Sequence, residues 1–328
     1  MKNILEVKNL TTSFNTNKNK IKAVDGVSFN LKEGKVLGIV GESGCGKSMT
    51  AMSIMGLIES QNGNIDNGEI IFNEKNLLSL NLNELDKIRG NEIAMIFQEP
   101  MIALNPVLKI KDQIGEVIKV HKNIVAEENK KKVLEFLNLV GIKRAEEVLN
   151  SYPHQLSGGM CQRIMIAIAL ICIPKLLIAD EPTTALDVTV QAQVLELINN
   201  LKDKFNMSVL FITHDLGVIC EVADEVMVMY AGKIVEKAKV EDIFDSPKHP
   251  YTIGLINSRP ENFKRGEIPK CIKGKVPKLT ELPKGCAFYE RCDFKMEICK
   301  NKRPKLESIG RDHEVSCFIC NLKSDGEE

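Results

Sequence analysis

The 328-residue sequence carries no excess of charge. Its 44 basic residues cancel 44 acidic ones, which removes the electrostatic reason to propose a nucleic-acid partner. It also lacks an apolar run of membrane-spanning length: the longest, Ile164 to Ile173, is ten residues, about half of what a bilayer-crossing helix needs. Met1-Lys-Asn-Ile-Leu-Glu6 offers no apolar signal-peptide core, so the expectation is a chain that stays in the cytosol. No motif occurs twice, which excludes two copies of any one site.

Cysteine is thin over the first 260 residues, where Cys45, Cys161, Cys172 and Cys220 are scattered. Cys271, Cys286, Cys292, Cys299, Cys317 and Cys320 crowd the last 60, and seven of the twelve prolines lie at or beyond Pro247. In a reduced compartment such cysteines argue for metal or chance rather than disulfides. A boundary near residue 260 follows, dividing a large domain, 1–260, from a short, loop-rich, cysteine-rich module, 261–328. Apolar residues at 44% and charged residues at 27% otherwise fit a globular chain.

What is present begins with Gly41-Glu42-Ser43-Gly44-Cys45-Gly46-Lys47-Ser48, which follows the apolar run Val36–Val40 and precedes a helix-competent segment starting near Met49. This matches the phosphate-binding G-x-x-x-x-G-K-[ST] loop in its strand-loop-helix setting. The glycines let successive backbone N–H groups turn toward a phosphate at a helix N-terminus. Lys47 then reaches the β/γ oxygens, and the Ser48 hydroxyl ligates magnesium. The loop makes this a nucleoside-triphosphate-binding chain, and Cys45 needs no special role in it.

The apolar patterning indicates an α/β fold. Leu5 to Leu10 and Ala23 to Leu31 alternate as half-buried antiparallel strands, flanking a polar loop over 15–20. Ile93 to Phe97, Leu176 to Ala179, Val209 to Thr213 and Val226 to Tyr230 read as strands covered on both faces. From about Leu104 to Leu170 helical periodicity takes over, with Val133, Leu134, Leu137 and Val140 on one face and Gly141 closing that helix. This is a helical insertion, at about 100–170, into an α/β domain.

Two further motifs carry chemistry. The strand Leu176–Ala179 runs into Asp180-Glu181-Pro182, placing two carboxylates at its carboxyl end. Asp180 suits a magnesium shell, and Glu181 suits general-base activation of a water attacking a γ-phosphate. Leu156-Ser157-Gly158-Gly159-Met160 opens a helix with Ser157 as N-cap and bare first amides, a second anion site. One γ-phosphate does not need two helix N-termini from one chain unless the second serves a nucleotide held by another subunit.

These residues, with the loop Ala185-Leu186-Asp187 and with Thr213-His214-Asp215, resemble the ATP-binding subunits of ABC transporters over about residues 4 to 260. The resemblance implies a P-loop ABC-type ATPase domain with a mixed sheet core, an antiparallel β part and the helical insertion. It implies ATP and Mg2+ as cofactors and assigns roles by position. Phe14 stacks on adenine; 41–48 and Met49 bind the nucleotide; Gln98 senses magnesium and the γ-phosphate. Ser48, Gln98 and Asp180 face the magnesium, Glu181 is the base and His214 holds the γ-phosphate and the attacking water. Ser157, Gly158, Gly159 and Asp187 act in trans, on the ATP of a second subunit, so that two nucleotide domains clamp two ATP molecules.

Gln98-Glu-Pro-Met-Ile-Ala-Leu-Asn-Pro106, Tyr152 to Ser157, Asp180 to Thr189 and His249-Pro-Tyr-Thr252 resemble one branch more closely, the ATPases of oligopeptide, dipeptide and nickel importers. That resemblance implies a subunit peripheral to the cytoplasmic face of the cell membrane. Its implied partners are two multispanning permease subunits, a homologous second ATP-binding subunit forming a heterodimer, and an external or periplasmic peptide-binding protein. The tail resembles that of peptide importers, in which Cys286, Cys292, Cys299 and Cys317 are similar to a [4Fe–4S] site. The residues alone leave Zn2+ open, with Cys317-Phe-Ile-Cys320 the one C-x-x-C pair and His313 a possible outside ligand. A nickel or other small-solute importer, or a soluble ABC-type ATPase, are the rival readings.

Overall fold

The computed structural model describes residues 2–15, 20–122, 124–184, 186–259, 272–310 and 312–320. Ala185, Cys271, most of the polar loop over 15–20 and the expected boundary at 260 lie outside the described residues. In chain order the described strands are β1 (Asn3–Asn15), β2 (Lys20–Lys32), β3 (Val36–Val40), β4 (Gly63–Phe72), β5 (Lys75–Asn76), β6 (Ile93–Ile96), β7 (Leu176–Asp180), β8 (Ser208–Thr213), β9 (Glu225–Tyr230), β10 (Lys233–Lys239), β11 (Glu307–Gly310) and β12 (His313–Val315). The chain forms two compact units, one built mainly of 79–210 and the other of 5–31, 36–78 and 211–328.

The first unit holds the helical insertion: α1 (Lys47–Ile54) and α2 (Leu82–Ile88) precede α3 (Pro100–Ala103), α4 (Ile110–His121), α5 (Ala126–Leu139), α6 (Ala145–Val148) and α7 (Gly158–Leu170), and of these only α1 lies in the second unit. In α5, Val133, Phe136 and Leu137 are buried; Val140 closes the helix and Gly141 follows at φ 77°. That left-handed residue just past the end is the ordinary way a helix stops. β6 and β7 pair in parallel, Ile93 opposite Leu176 through Ile96 opposite Ala179. Every residue of both strands is buried, which is why they read as unbroken apolar runs. α8 (Val188–Phe205) follows β7, and β8 runs through the division between the units.

The second unit contains a four-stranded sheet in the order β2-β1-β4-β5, with β1 antiparallel to β4. Its share of the larger sheet runs β11-β12-β10-β9-β3. This part is mixed: β3 pairs β9 in parallel, whereas β9, β10, β12 and β11 are successively antiparallel. α9 (Leu216–Val222) packs so closely on β3 that a Cβ at Gly38 would press on Ile219. α10 (Val240–Asp245), α11 (Pro250–Asn257) and α12 (Glu297–Asn301) complete the described helices of eight or fewer residues in this unit.

The cysteine-rich tail, expected as a separate module, is built onto this unit. β12 extends the sheet beside β10, with Glu236 opposite Val315, and Ser316 N–H donates to Val235 O at 2.8 Å. The reason is visible in β10, whose outer edge would otherwise present unpaired backbone groups and leave the buried Glu236 carboxylate without its His313 partner.

Candidate functional site

The phosphate loop leaves β3 at Gly41 and enters α1 at Lys47. Gly41, at φ 154°, has no room for a side chain: a Cβ would collide with Met229 O on β9. Gly46, the N-cap of α1 at φ 108°, would likewise meet Ala23 O. Gly44, at φ 79°, faces open space, so its requirement is conformational alone. Gly232 N–H donates to Cys45 O at 2.8 Å, and burial raises the Cys45 thiol above its usual range, so this cysteine is a neutral, packed side chain. Lys47 is buried, and its Nζ donates to Gly41 O at 2.8 Å and Glu42 O at 3.2 Å. The loop is thus a cradle of the size that backbone alone can line, with an ammonium already inside it, as a polyphosphate requires.

Two residues that the sequence reading did not single out hold this loop from behind. The Glu42 N–H donates to the Tyr251 hydroxyl at 2.8 Å, and the Glu42 carboxylate takes Arg291 Nη1 at 2.6 Å and Nη2 at 2.9 Å. Tyr251 is fully buried and packs against Tyr230 and Phe288 with its ring tilted to theirs, and that burial pushes its phenol far up, keeping it protonated. The His249-Pro-Tyr-Thr252 motif was the available signal. His249, fully buried with its pKa lowered to about 4 by burial, caps α11 as a neutral imidazole, accepting the Tyr251 N–H at Nδ1 at 3.0 Å.

Phe14, next to last in β1, is half-buried, its ring resting against Gly63 on β4. His214 is exposed at the end of β8, where Asp215 caps α9 through Gly217 N–H at 2.8 Å.

The first unit assembles the carboxylate group. Glu181 is buried and sits at φ 48°, a backbone conformation costing a non-glycine residue about 1–2 kcal/mol. Strain of that kind persists where surroundings over-determine it. Gln98 Nε2 and Thr184 Oγ1 both donate to Glu181 Oε2, at 3.1 and 2.9 Å, and Gln162 Nε2 on α7 donates to Pro182 O at 2.6 Å. Asp180 is buried at the end of β7, a hard oxygen donor of the type magnesium takes; in the second unit, Ser48 on α1 carries another such donor. Ser157 caps α7 by accepting the Met160 N–H at 3.3 Å, with exposed Gly158 beside it and Gly159 against Val190. Asp187 caps α8 through Val190 N–H at 2.9 Å. The sequence indicated the Ser157 cap but not that of Asp187, and the structure joins Gln98 to Glu181.

In the tail, Cys286, Cys292, Cys299 and Cys317 line one small cavity, together with Phe288 and Phe294. Burial pushes the Cys286 thiol to about 11 and Cys292 upward, the neighbouring thiols adding to both. Among the described residues no group of three or more His, Cys, Asp and Glu side chains is placed to hold a metal ion. His313 does not line this cavity: its Nε2 is 2.8 Å from Glu236 Oε1, which removes it as an outside ligand.

Residues 24–184 match the family model described as "ABC transporter", and residues 235–299 match "Oligopeptide/dipeptide transporter, C-terminal region". The chain is 54% identical to the oligopeptide transport ATP-binding protein AppD of Bacillus subtilis (strain 168) over 97% of either chain. It is 48% identical to the dipeptide transport ATP-binding protein DppD of the same organism, covering 99% of this chain and 97% of that one. Among solved structures, the dimeric bacterial ABC transporter cassette MJ0796 superposes with a TM-score of 0.65 at 29% identity, over 72% of this chain and 98% of that one.

Proposed function

The chain belongs to the ATP-binding proteins of ABC transporters, in the branch that serves oligopeptide and dipeptide transport, and from that premise we propose that it is the ATP-hydrolysing subunit that drives import of peptides. The observation that carries the reading is one chain that joins a backbone-lined phosphate cradle to the peptide-transporter C-terminal region. In the roles we propose, 41–49 hold ATP, with Phe14 on the adenine, and Ser48, Gln98 and Asp180 face its Mg2+. Bound magnesium neutralises charge on the β/γ oxygens. Glu181 accepts the proton of the attacking water, Gln98 orients that carboxylate, and His214 fixes the γ-phosphate. Ser157, Gly158, Gly159 and Asp187 serve the ATP of a second, homologous subunit. Two membrane-spanning permease subunits and an external or periplasmic peptide-binding protein complete the assembly, with this subunit peripheral to the cytoplasmic face of the membrane.

Glu181→Gln is expected to keep ATP binding while phosphate release falls by about 10²–10⁴. Cells relying on the variant should lose peptide uptake. Near wild-type hydrolysis would remove Glu181 as the base, and intact peptide uptake with lost nickel uptake would remove the substrate.

For the tail we propose a [4Fe–4S] cluster on Cys286, Cys292, Cys299 and Cys317. Four thiolates on one zinc ion would lie about 3.8 Å apart, given Zn–S bonds of about 2.3 Å. Four cysteines on one cavity can between them hold a group of several metal ions, and the Cys286 and Cys292 thiols must give up the protons that burial otherwise holds on them before they ligate iron. When bound, the group supplies cross-links that a small loop-rich segment cannot obtain from its own core. Protein purified anaerobically should contain about four irons and four sulfides per chain; a colourless protein with one zinc overturns the cluster.

A further inference from the structure

Glu42 poses an electrostatic problem. It puts a carboxylate inside the loop that receives a polyanion, and in the low-dielectric neighbourhood of a cradle such like charges repel strongly. Arg291 answers it from the tail. Its side chain is only 5% exposed, and its guanidinium forks onto both Glu42 carboxylate oxygens at 2.6 and 2.9 Å. The guanidinium is itself fixed on three further sides: Nε donates to Lys273 O at 2.9 Å, Nη1 lies 3.4 Å from the Tyr230 hydroxyl, and the plane sits 5.7 and 5.8 Å from the Tyr230 and Phe288 ring centres. All the polar groups of Glu42 are thereby committed, its N–H to Tyr251, its carbonyl to Lys47 and its carboxylate to Arg291.

We propose that Arg291 is a positioning residue for ATP binding: it neutralises the Glu42 carboxylate and fixes the phosphate loop in its receptive shape, acting through Glu42 rather than on the nucleotide. The inference rests on the reading of 41–48 as the ATP-phosphate loop. A bidentate pair on a buried guanidinium is the geometry in which lysine is a poorer substitute for arginine, because the fork supplies direction as well as charge.

The test is a double-mutant cycle on the full-length protein, reading Mg-ATP affinity with a fluorescent ATP analogue and the KM and kcat of hydrolysis. Arg291→Gln, which strands the carboxylate, is expected to weaken ATP binding and raise KM roughly tenfold, a typical coupling for groups in one network, with kcat little changed. Glu42→Gln alone should cost less, and adding it to Arg291→Gln should restore most of the affinity. A merely structural arginine would gain nothing from removing the charge at Glu42. Arg291→Lys keeps a positive charge and guards against a variant that does not fold; it should show a smaller loss. Wild-type affinity in Arg291→Gln, or no recovery in the double variant, overturns the proposal. Unchanged ATP binding in Lys47→Ala would instead overturn the loop assignment beneath it.

Discussion

Glu236 is the residue on which the sheet edge of the second unit turns. Its side chain is fully buried, yet it accepts hydrogen bonds from the backbone N–H groups of Lys248 and His249, at 2.7 and 2.9 Å, and pairs with His313. Burial alone would raise its pKa; the hydrogen bonds from His313 and those amides outweigh it and hold the carboxyl below its usual value. A depressed acid contributes stability that is complete above the unfolded value near 4.5 and is lost as pH falls through the folded one. Urea midpoints measured below pH 4.5 should therefore fall with acid in the wild type and fall less steeply in Glu236→Gln. Nothing in Lys233-Ile-Val-Glu-Lys-Ala-Lys239 advertises this, because a buried carboxylate and a solvated one look alike in sequence. Lys47, Asp180 and Glu181 could be named as candidates for the opposite reason: the chemistry proposed for them needs fixed spacing within a few residues. Arg291 and Tyr251 meet Glu42 from 249 and 209 residues away, and no local pattern records such a pairing.

At the scale of elements, β3, β6, β7, β8 and β9 were readable because strands covered on both faces must be apolar throughout. β4 and β10 escaped notice because their polar residues break any clean alternation. Helix starts were easier, since a cap is a local device. Ser157 illustrates it: one exposed hydroxyl accepts the Met160 N–H and lets α7 begin at two bare glycines. Ser157→Ala is expected to lower stability by only about 1 kcal/mol, the usual worth of such a cap. If thermal unfolding bears this out while ATP turnover of the assembled transporter drops tenfold or more, the hydroxyl works on a ligand and not only on its own helix.

The whole molecule departs most from its sequence-level picture in the tail. Crowded prolines and cysteines suggested an appendage, whereas β11 and β12 prolong the sheet that carries β3 and β9, and Arg291 braces the loop between β3 and α1. A chain ending at Lys305 loses β12 and with it the outer neighbour of β10 and one of the partners of Glu236, His313. Such a chain is expected to self-associate, visible as heavier species in sedimentation velocity, while the full-length chain is free of them. Synthesis imposes the same condition briefly on every copy. From Lys239 to His313 is 74 residues, so at about 5–20 residues per second β10 waits on the order of ten seconds for its neighbour. During that interval a newborn chain displays an open strand edge. Emergence of His313–Val315 from the ribosome is thus what closes it, which makes the arrival of β12, rather than collapse of the core, the step that protects the chain from self-association.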